Sequence, residues 1–198
     1  MASKLDTFVA DCRTALTSQP GTPGREKVRD LVKQVLSDPE FVATYIPDGT
    51  PERHVLYEDP ELGFTVLAHG YTGAKGSKPH DHGPSWAIYG QASGETIMTA
   101  WDCVSRPTEA TPGQAKFNHN YVMKPGDAYL YDIGVLHSPE RKSSTRLLRI
   151  EGLNMAKIKR LPYEAISQQA AAESSLQAAS AIVDCSQATV VRCISRTS

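Results

Sequence analysis

The sequence predicts a mainly β protein, an antiparallel barrel or sandwich with helices before it and a helix after it. Three observations predict this fold class. Apolar residues recur with a helical period over residues 6–45, and the period changes to two after residue 49. Short apolar runs separated by Gly, Pro, Asn and Asp clusters then continue to residue 151. Beyond Pro162 the composition shifts to Ala, Ser and Gln, which favours a final helix.

The N-terminal helices are predicted from the spacing of their apolar side chains. Residues 6–17 carry such side chains at positions i, i+3 and i+4 of one helical face: Phe8, Val9, Cys12, Ala15 and Leu16. The Pro- and Gly-rich residues 20–24 end this helix. The helical period resumes over residues 25–45, where Pro39 is expected to divide it into two helices because a proline cannot continue a helix from within.

The strands are predicted from alternation and from the turn residues between them. Seven candidate strands follow residue 49: 55–57, 64–71, 85–89, 96–103, 121–123, 128–131 and 145–151. Residues 163–183 are predicted as a helix, and residues 188–198 as either a last strand or a loose tail. The expected organisation is therefore a helical segment (1–48), a barrel (49–155) and a C-terminal helix with a tail (156–198).

Composition excludes several classes of partner. The chain has 198 residues, of which 40% are hydrophobic, so one domain with a sizeable core is expected. Lys and Arg number 21 against 22 Asp and Glu, a balance that favours neither nucleic acid nor an anionic membrane as a partner. The N-terminus lacks the apolar segment of a signal peptide, and no apolar run is long enough to span a bilayer. A cytoplasmic protein is expected.

The four cysteines agree with a reducing compartment. Cys12, Cys103, Cys185 and Cys193 are scattered and form no C-x-x-C pair. Free thiols are therefore expected, with a disulfide between Cys185 and Cys193 as the open alternative.

Three histidines have the spacing of a metal site. If His80 and His82 lie on a β-strand, their side chains point to the same face, and His137 from a neighbouring strand completes a cap of three imidazoles. Neutral imidazole is a ligand for first-row metals, and three ligands leave open positions for water, substrate or dioxygen. The intervening Asp81 is expected to point away from the metal.

The spacing around these histidines resembles the two motifs of the cupin superfamily. The first motif, G-x5-H-x-H-x3–4-E-x6-G, is matched by His80, His82, Ala87 and Gly94, with Ala87 where Glu is usual. The second, G-x5-P-x-G-x2-H-x3-N, is matched by Gly126, Asp132, Gly134, His137 and Arg141, with Asp132 for Pro and Arg141 for Asn. The resemblance implies a double-stranded β-helix. Gly94 and Gly134 are expected at turns that require a positive φ.

The alanine at position 87 limits the chemistry of the site. Because Ala87 cannot bind a metal, the site should consist of three neutral histidines and keep the full charge of a divalent ion. Such a centre favours anionic ligands, for example a thiolate or a carboxylate.

A narrower resemblance is to the cysteine dioxygenase and mercaptopropionate dioxygenase family. It covers roughly residues 50–140, through segments 53–57, 64–67 and 76–82. The resemblance implies Fe(II) held by His80, His82 and His137, and oxidation of a small carboxylate-bearing thiol to a sulfinate with O2. It also implies that Arg53 binds the substrate carboxylate and that His69 lines the substrate pocket.

The chain departs from that family after the last metal ligand. The family has a Ser-x-His-x-Tyr strand that orders substrate and oxygen, whereas this chain has Arg149 and Glu151 on one face of the corresponding strand. If that face is inward, Arg149 and Glu151 form a charged pocket wall. The substrate therefore stays open.

Other interpretations of a three-histidine site also remain. The metal could be Mn, Ni or Zn in place of Fe(II), since cupin histidines accept several metals. The reaction could be cleavage of a carbon–carbon bond by O2, an isomerisation or an elimination, and a non-enzymatic metal-binding or small-molecule-binding protein is the remaining class. The expected partners are a small-molecule substrate and O2, and the helical termini offer surfaces for a homodimer.

Overall fold

Ten strands in two sheets form the body of the molecule, which confirms the predicted mainly β fold class. The computed structural model describes residues 2–166. The first sheet has the strand order β1-β2-β9-β4-β7 and the second β10-β6-β5-β8-β3. The strands are β1 (His54–Glu58), β2 (Thr65–Tyr71), β3 (Lys75–Gly76), β4 (Ala87–Ser93), β5 (Thr96–Ser105), β6 (Gly113–Met123), β7 (Ala128–Tyr131), β8 (Leu136–Arg141), β9 (Thr145–Glu151) and β10 (Tyr163–Ile166).

Three helices precede the sheets, as predicted. They are α1 (Lys4–Ser18), α2 (Thr22–Leu36) and α3 (Pro39–Tyr45). α1 begins with a capping box, in which Ser3 and Asp6 exchange side-chain to backbone hydrogen bonds. α3 begins with Pro39 behind the N-cap Asp38, whose side chain accepts hydrogen bonds from the next turn. The division at Pro39 is thus confirmed.

The helices cover the outer face of the first sheet and leave its inner face for the site. Their apolar side chains form one core cluster with alternate residues of the sheet, among them Val66, Ala68, Ile88, Leu148 and Ile150. Contact is close at Gly90, where a Cβ would lie 2.5 Å from Val32 Cγ1. Because strand side chains alternate between faces, the residues between these five point into the space between the sheets.

The inner face of the first sheet brings together residues that are far apart in sequence. In the register of β2, β9 and β4, Arg149 lies opposite Leu67 on one side and Tyr89 on the other. Glu151 lies opposite Ala87 in the same way. Arg149 and Glu151 therefore lie on the inner face of the first sheet, opposite to the face that the helices cover.

The structure differs from two predictions about the C-terminal part of the chain. The helix predicted from residue 163 is wrong over Tyr163–Ile166, which form β10 and pair in parallel with β6. The barrel therefore extends past residue 155, and a 3-10 turn at Met155–Lys157 leads to its last strand. The rest of the predicted helix, the tail and the Cys185–Cys193 alternative lie outside the described residues.

Two further findings concern thiols and membranes. Cys12 and Cys103 are free thiols, the first buried and the second exposed. Over the described residues, no helix is both long enough and apolar enough to cross a bilayer.

Candidate metal centre and its cavity

The three predicted ligand histidines converge between the two sheets. One ring nitrogen from each of His80, His82 and His137 lies within 4.8 Å of the others. The ring centroids of His80 and His137 are 4.6 Å apart, and those of His82 and His137 are 4.9 Å apart. Within residues 2–166 these three form the one group of side chains that could hold a metal ion.

The local structure that positions His80 and His82 differs from the prediction. The two residues do not lie on a regular strand: His80 makes an isolated antiparallel bridge with His137, and a turn follows His82. Reciprocal backbone hydrogen bonds of 3.0 Å join His80 to His137. This bridge ties the first ligand segment directly to β8. Gly134, with φ +78°, makes the turn before β8 as predicted, and Gly94, with φ +70°, the turn after β4.

Hydrogen bonds orient the ligand rings. The Nδ1 atoms of His80 and His137 lie 2.9 and 3.3 Å from the backbone carbonyls of Lys78 and Val135. Each Nδ1–H therefore donates to a carbonyl, which leaves Nε2 as the free lone pair. The Tyr131 ring stacks on His137 with centroids 4.0 Å apart and fixes the plane of that ring.

The ligand imidazoles are neutral at physiological pH. Burial lowers the pKa of His80 to about 4 and holds the pKa values of His82 and His137 well below their ordinary value. The Arg149 guanidinium lowers all three further. Neutral imidazoles with inward lone pairs are the donor set that a first-row metal requires, so the residues present fit such an ion. The carboxylate that the motif usually supplies is replaced by the buried Ala87.

A cavity of about 640 Å³ lies beside the histidines. Its walls include His80, Tyr89 and two of the predicted site residues, His69 and Arg149. The Tyr89 hydroxyl lies 3.1 Å from His82 Nε2 and 3.5 Å from His137 Nε2. A hydroxyl therefore faces the point where the ligand nitrogens converge. Tyr89 is not among the site residues predicted from the sequence, because a strand pattern does not indicate where a hydroxyl group lies.

Arg53 and Glu151, the other two predicted site residues, lie outside the cavity lining and bind each other. The Arg53 guanidinium makes two hydrogen bonds to the Glu151 carboxylate, of 3.1 and 3.0 Å, and a third to Asn154. Glu151 is fully buried and also accepts from the Met155 amide at 2.9 Å. Arg53 thus has a carboxylate partner within the protein.

Arg149 stands between this pair and the cavity. Its Nε is 3.1 Å from a Glu151 oxygen, but the angle does not satisfy hydrogen-bond geometry. Its guanidinium lies over the Tyr89 ring at 4.6 Å. Because Glu151 is shared with Arg53, one carboxylate faces two guanidinium groups, and Arg149 retains donors for a ligand.

The two remaining histidines lie at the surface. His54 and His119 are exposed. Asp81 points away from the ligand rings, where it accepts a hydrogen bond from Tyr163 and pairs with Arg106. Arg141 also lines the cavity, although no role for it is predicted from the sequence. The signal that could have indicated it is the cation at a motif position where a neutral Asn is usual.

Several solved structures are similar to part of this chain. No family model matches the chain, and no curated protein does. A cupin superfamily protein from Desulfitobacterium hafniense DCB-2 is 13% identical over 52% of this chain and 76% of its own, with a TM-score of 0.38. A Klebsiella pneumoniae protein with a double-stranded β-helix domain is 15% identical over 61% and 93%, with a TM-score of 0.40. KdgF from Halomonas sp. is 13% identical over 54% and 82%, with a TM-score of 0.39.

The buried His69 should make the stability of the metal-free protein sensitive to acid. Burial lowers its pKa to about 3, whereas the unfolded chain binds the proton near pH 6.5. Between these values the unfolded state binds one more proton, so the free energy of unfolding falls as pH falls, by about 1.4 kcal/mol per pH unit for each such group. His69→Gln should make this slope shallower by about one proton, as measured by urea unfolding of metal-free protein from pH 4.5 to 6.5.

The matched control is His119→Gln. His119 is exposed on β6, so its replacement should leave the slope unchanged. Equal slopes for His69→Gln and the parent protein would show that His69 takes up its proton in the folded state.

Proposed function

We propose that this protein is a mononuclear non-haem Fe(II) dioxygenase that oxidises a small carboxylate-bearing thiol to a sulfinate. The observation that carries the proposal is the set of three neutral imidazoles beside a cavity whose wall includes Arg149. A site without a carboxylate ligand leaves the charge of Fe(II) to be balanced by the substrate, and a thiolate meets that requirement. The resemblance of the two histidine motifs to thiol dioxygenases supports the same reaction.

The reaction balances without a further reductant. The thiol R–SH and O2 give the sulfinate R–SO2⁻ and one proton. The S–H and O=O bonds break and two S–O bonds form, so that sulfur loses four electrons and the two oxygen atoms gain them. Iron supplies the redox centre at which thiolate and O2 can react.

The protein's own residues bind and orient the substrate in this proposal. Arg149 donates to the substrate carboxylate from its position over Tyr89, next to the ligand rings. Tyr89 directs its hydroxyl toward the convergence point of His82 and His137, where it donates a hydrogen bond to a ligand of the metal. Arg53 takes a supporting role through Glu151, in place of the carboxylate-binding role that the family resemblance implied.

An oxygen-uptake assay tests the proposal. Protein reconstituted anaerobically with Fe(II) is offered cysteine, cysteamine, 3-mercaptopropionate and mercaptosuccinate. We expect one O2 consumed for each sulfinate formed with at least one carboxylate-bearing thiol, and kcat/KM for cysteamine at least about tenfold lower, because it has no carboxylate for Arg149. Zn-loaded protein is the control and should consume no O2.

Two results would oppose the proposal. One is the absence of uptake with every thiol, together with turnover of a carboxylate substrate that has no sulfur, which would favour carbon–carbon cleavage or an isomerase. The other is preferred oxidation of cysteamine, which would contradict the role of Arg149 in binding a substrate carboxylate.

A further inference from the structure

Within residues 2–166, Arg141 is a buried cation without an anionic partner. It is 5% exposed, it lies on β8 four residues after the ligand His137, and it lines the cavity. Its Nε has no hydrogen-bond partner within residues 2–166. None of the ion pairs formed in that part of the chain includes it. Its guanidinium stacks on the Tyr71 ring at 4.2 Å, which orients it without neutralising it.

The acidic lining of the cavity offers Arg141 no free carboxylate. Glu52 is the one acidic residue that lines it, and the Glu52 carboxylate pairs with Lys75. Burial lowers the pKa of Arg141, and the nearby Arg149 lowers it further. Three arginines line the cavity: the buried Arg141, the half-buried Arg149 and the exposed Arg160. Behind Arg149 lies a single carboxylate, that of Glu151, which Arg149 shares with Arg53.

Such an arrangement is costly unless an anion enters. A buried charge that lacks a partner destabilises a protein by several kcal/mol, and proteins keep such groups where a ligand completes them. Arg149 balances one carboxylate. Arg141 then requires a second one.

We propose that Arg141 forms a second anion subsite, and that the cavity selects a small ligand with two carboxylates. Arg141 and Arg149 each bind one carboxylate as a charge-assisted fork. A volume of about 640 Å³ holds a four-carbon dicarboxylate with room for a sulfur substituent at the metal. If the proposed oxidation is correct, on which this last step rests, the substrate class is a thiol that carries two carboxylates.

Binding of ligands without sulfur tests the subsite apart from the reaction. Isothermal titration of metal-free protein with succinate and with monomethyl succinate compares two ligands that differ by one masked carboxylate. We expect succinate to bind at least about tenfold more tightly. Arg141→Met, which keeps an unbranched apolar stem and removes the charge, should weaken succinate binding about 10- to 100-fold and affect the monoester less.

The melting temperature of the variant gives a second readout, because a structural arginine and an anion-binding arginine predict different changes in it. Because Arg141→Met removes an unpaired buried charge, its Tm should equal or exceed that of the parent protein. A structural Arg141 would instead lower the Tm. Arg141→Gln also removes the charge and provides the same binding test with a polar side chain. The matched control is Arg29→Met, on the solvent side of α2, which should leave the affinity for succinate within threefold.

Two results would overturn the proposal of a second anion subsite. The first is equal affinity of the protein for succinate and for its monoester. The second is succinate binding that stays unchanged in a folded Arg141→Met or Arg141→Gln protein. The two proposals fail separately. Succinate binding that depends on Arg141, with no thiol oxidised, retains the subsite and removes the thiol dioxygenase. Turnover of 3-mercaptopropionate as efficient as that of mercaptosuccinate, with equal binding of diacid and monoester, retains the enzyme and removes the subsite.

Discussion

Replacing His137 with alanine is expected to abolish both metal binding and oxygen consumption. His137 is 1% exposed and lies closest to the centre of the ligand group, with its ring near those of both His80 and His82. Loss of a hydrogen-bond partner of a metal ligand already lowers metal affinity about 10- to 100-fold, so loss of the ligand itself should exceed about 100-fold. Metal content after dialysis against a defined Fe(II) or Zn(II) concentration measures this directly.

The control for this change is His119→Ala. His119 is exposed on β6 and belongs to no cluster of metal-binding residues in the described part of the chain. The His119→Ala protein should retain one metal ion per chain and full activity. Far-UV circular dichroism of both variants establishes that the sheets are formed. A folded His137→Ala protein that still binds one ion with the parent affinity would place the metal elsewhere.

The convergence of His80, His82 and His137 could be predicted from their spacing, although His80 and His82 do not lie on the regular strand that the prediction assumed. The His-x-His pair and the glycine before His137 place three imidazoles at the junction of two chain segments, and the positive φ of Gly134 is a property of the residue type. The strand that carries His137 was nevertheless missed. Pro139 lies in the middle of β8, and a proline within an apolar run argues against a strand.

The C-terminal strand was missed for a different reason. Tyr163–Ile166 precede an Ala-, Ser- and Gln-rich stretch, and this composition favours a helix. The residues form a strand because β6 offers them an edge, to which they pair in parallel. Propensity is a weak local preference, and an available sheet edge overrides it.

The assignment of Arg53 shows the limit of a motif match. The resemblance implied that Arg53 binds the substrate carboxylate, but it could not indicate the partner of Arg53 within the protein, Glu151, which lies 98 residues away. The charged residues on β9 alter its surroundings, since a fully buried carboxylate at position 151 engages both hydrogen-bonding arms of the Arg53 guanidinium. The same exchange of residues places Arg149 in the cavity wall. A residue on β9 thus supplies Arg53, far away in the sequence, with a carboxylate partner inside the protein.

Glu151→Gln is expected to be the most destabilising single substitution of a charged residue near the site. The Glu151 carboxylate is fully buried and balances Arg53 and Arg149. Burial alone would raise its pKa, but the two guanidinium groups and the Met155 amide hold the pKa below its ordinary value, so the group is charged. A neutral amide would leave both cations uncompensated. Breaking a buried pair in this way should lower the free energy of unfolding by about 3 kcal/mol, as measured by urea denaturation.

Two further variants test whether the loss of stability comes from the buried ion pair. Glu140→Gln makes the same change at an exposed position on β8, and it should stay within about 0.5 kcal/mol of the parent protein. Arg53→Ala should also lower stability, because it leaves Glu151 with Arg149 alone. If Glu151→Gln instead retains the parent stability and Arg53→Ala raises only the KM for substrate, the pair does not stabilise the fold. Arg53 would then bind the substrate carboxylate, and Arg149 would lose that role.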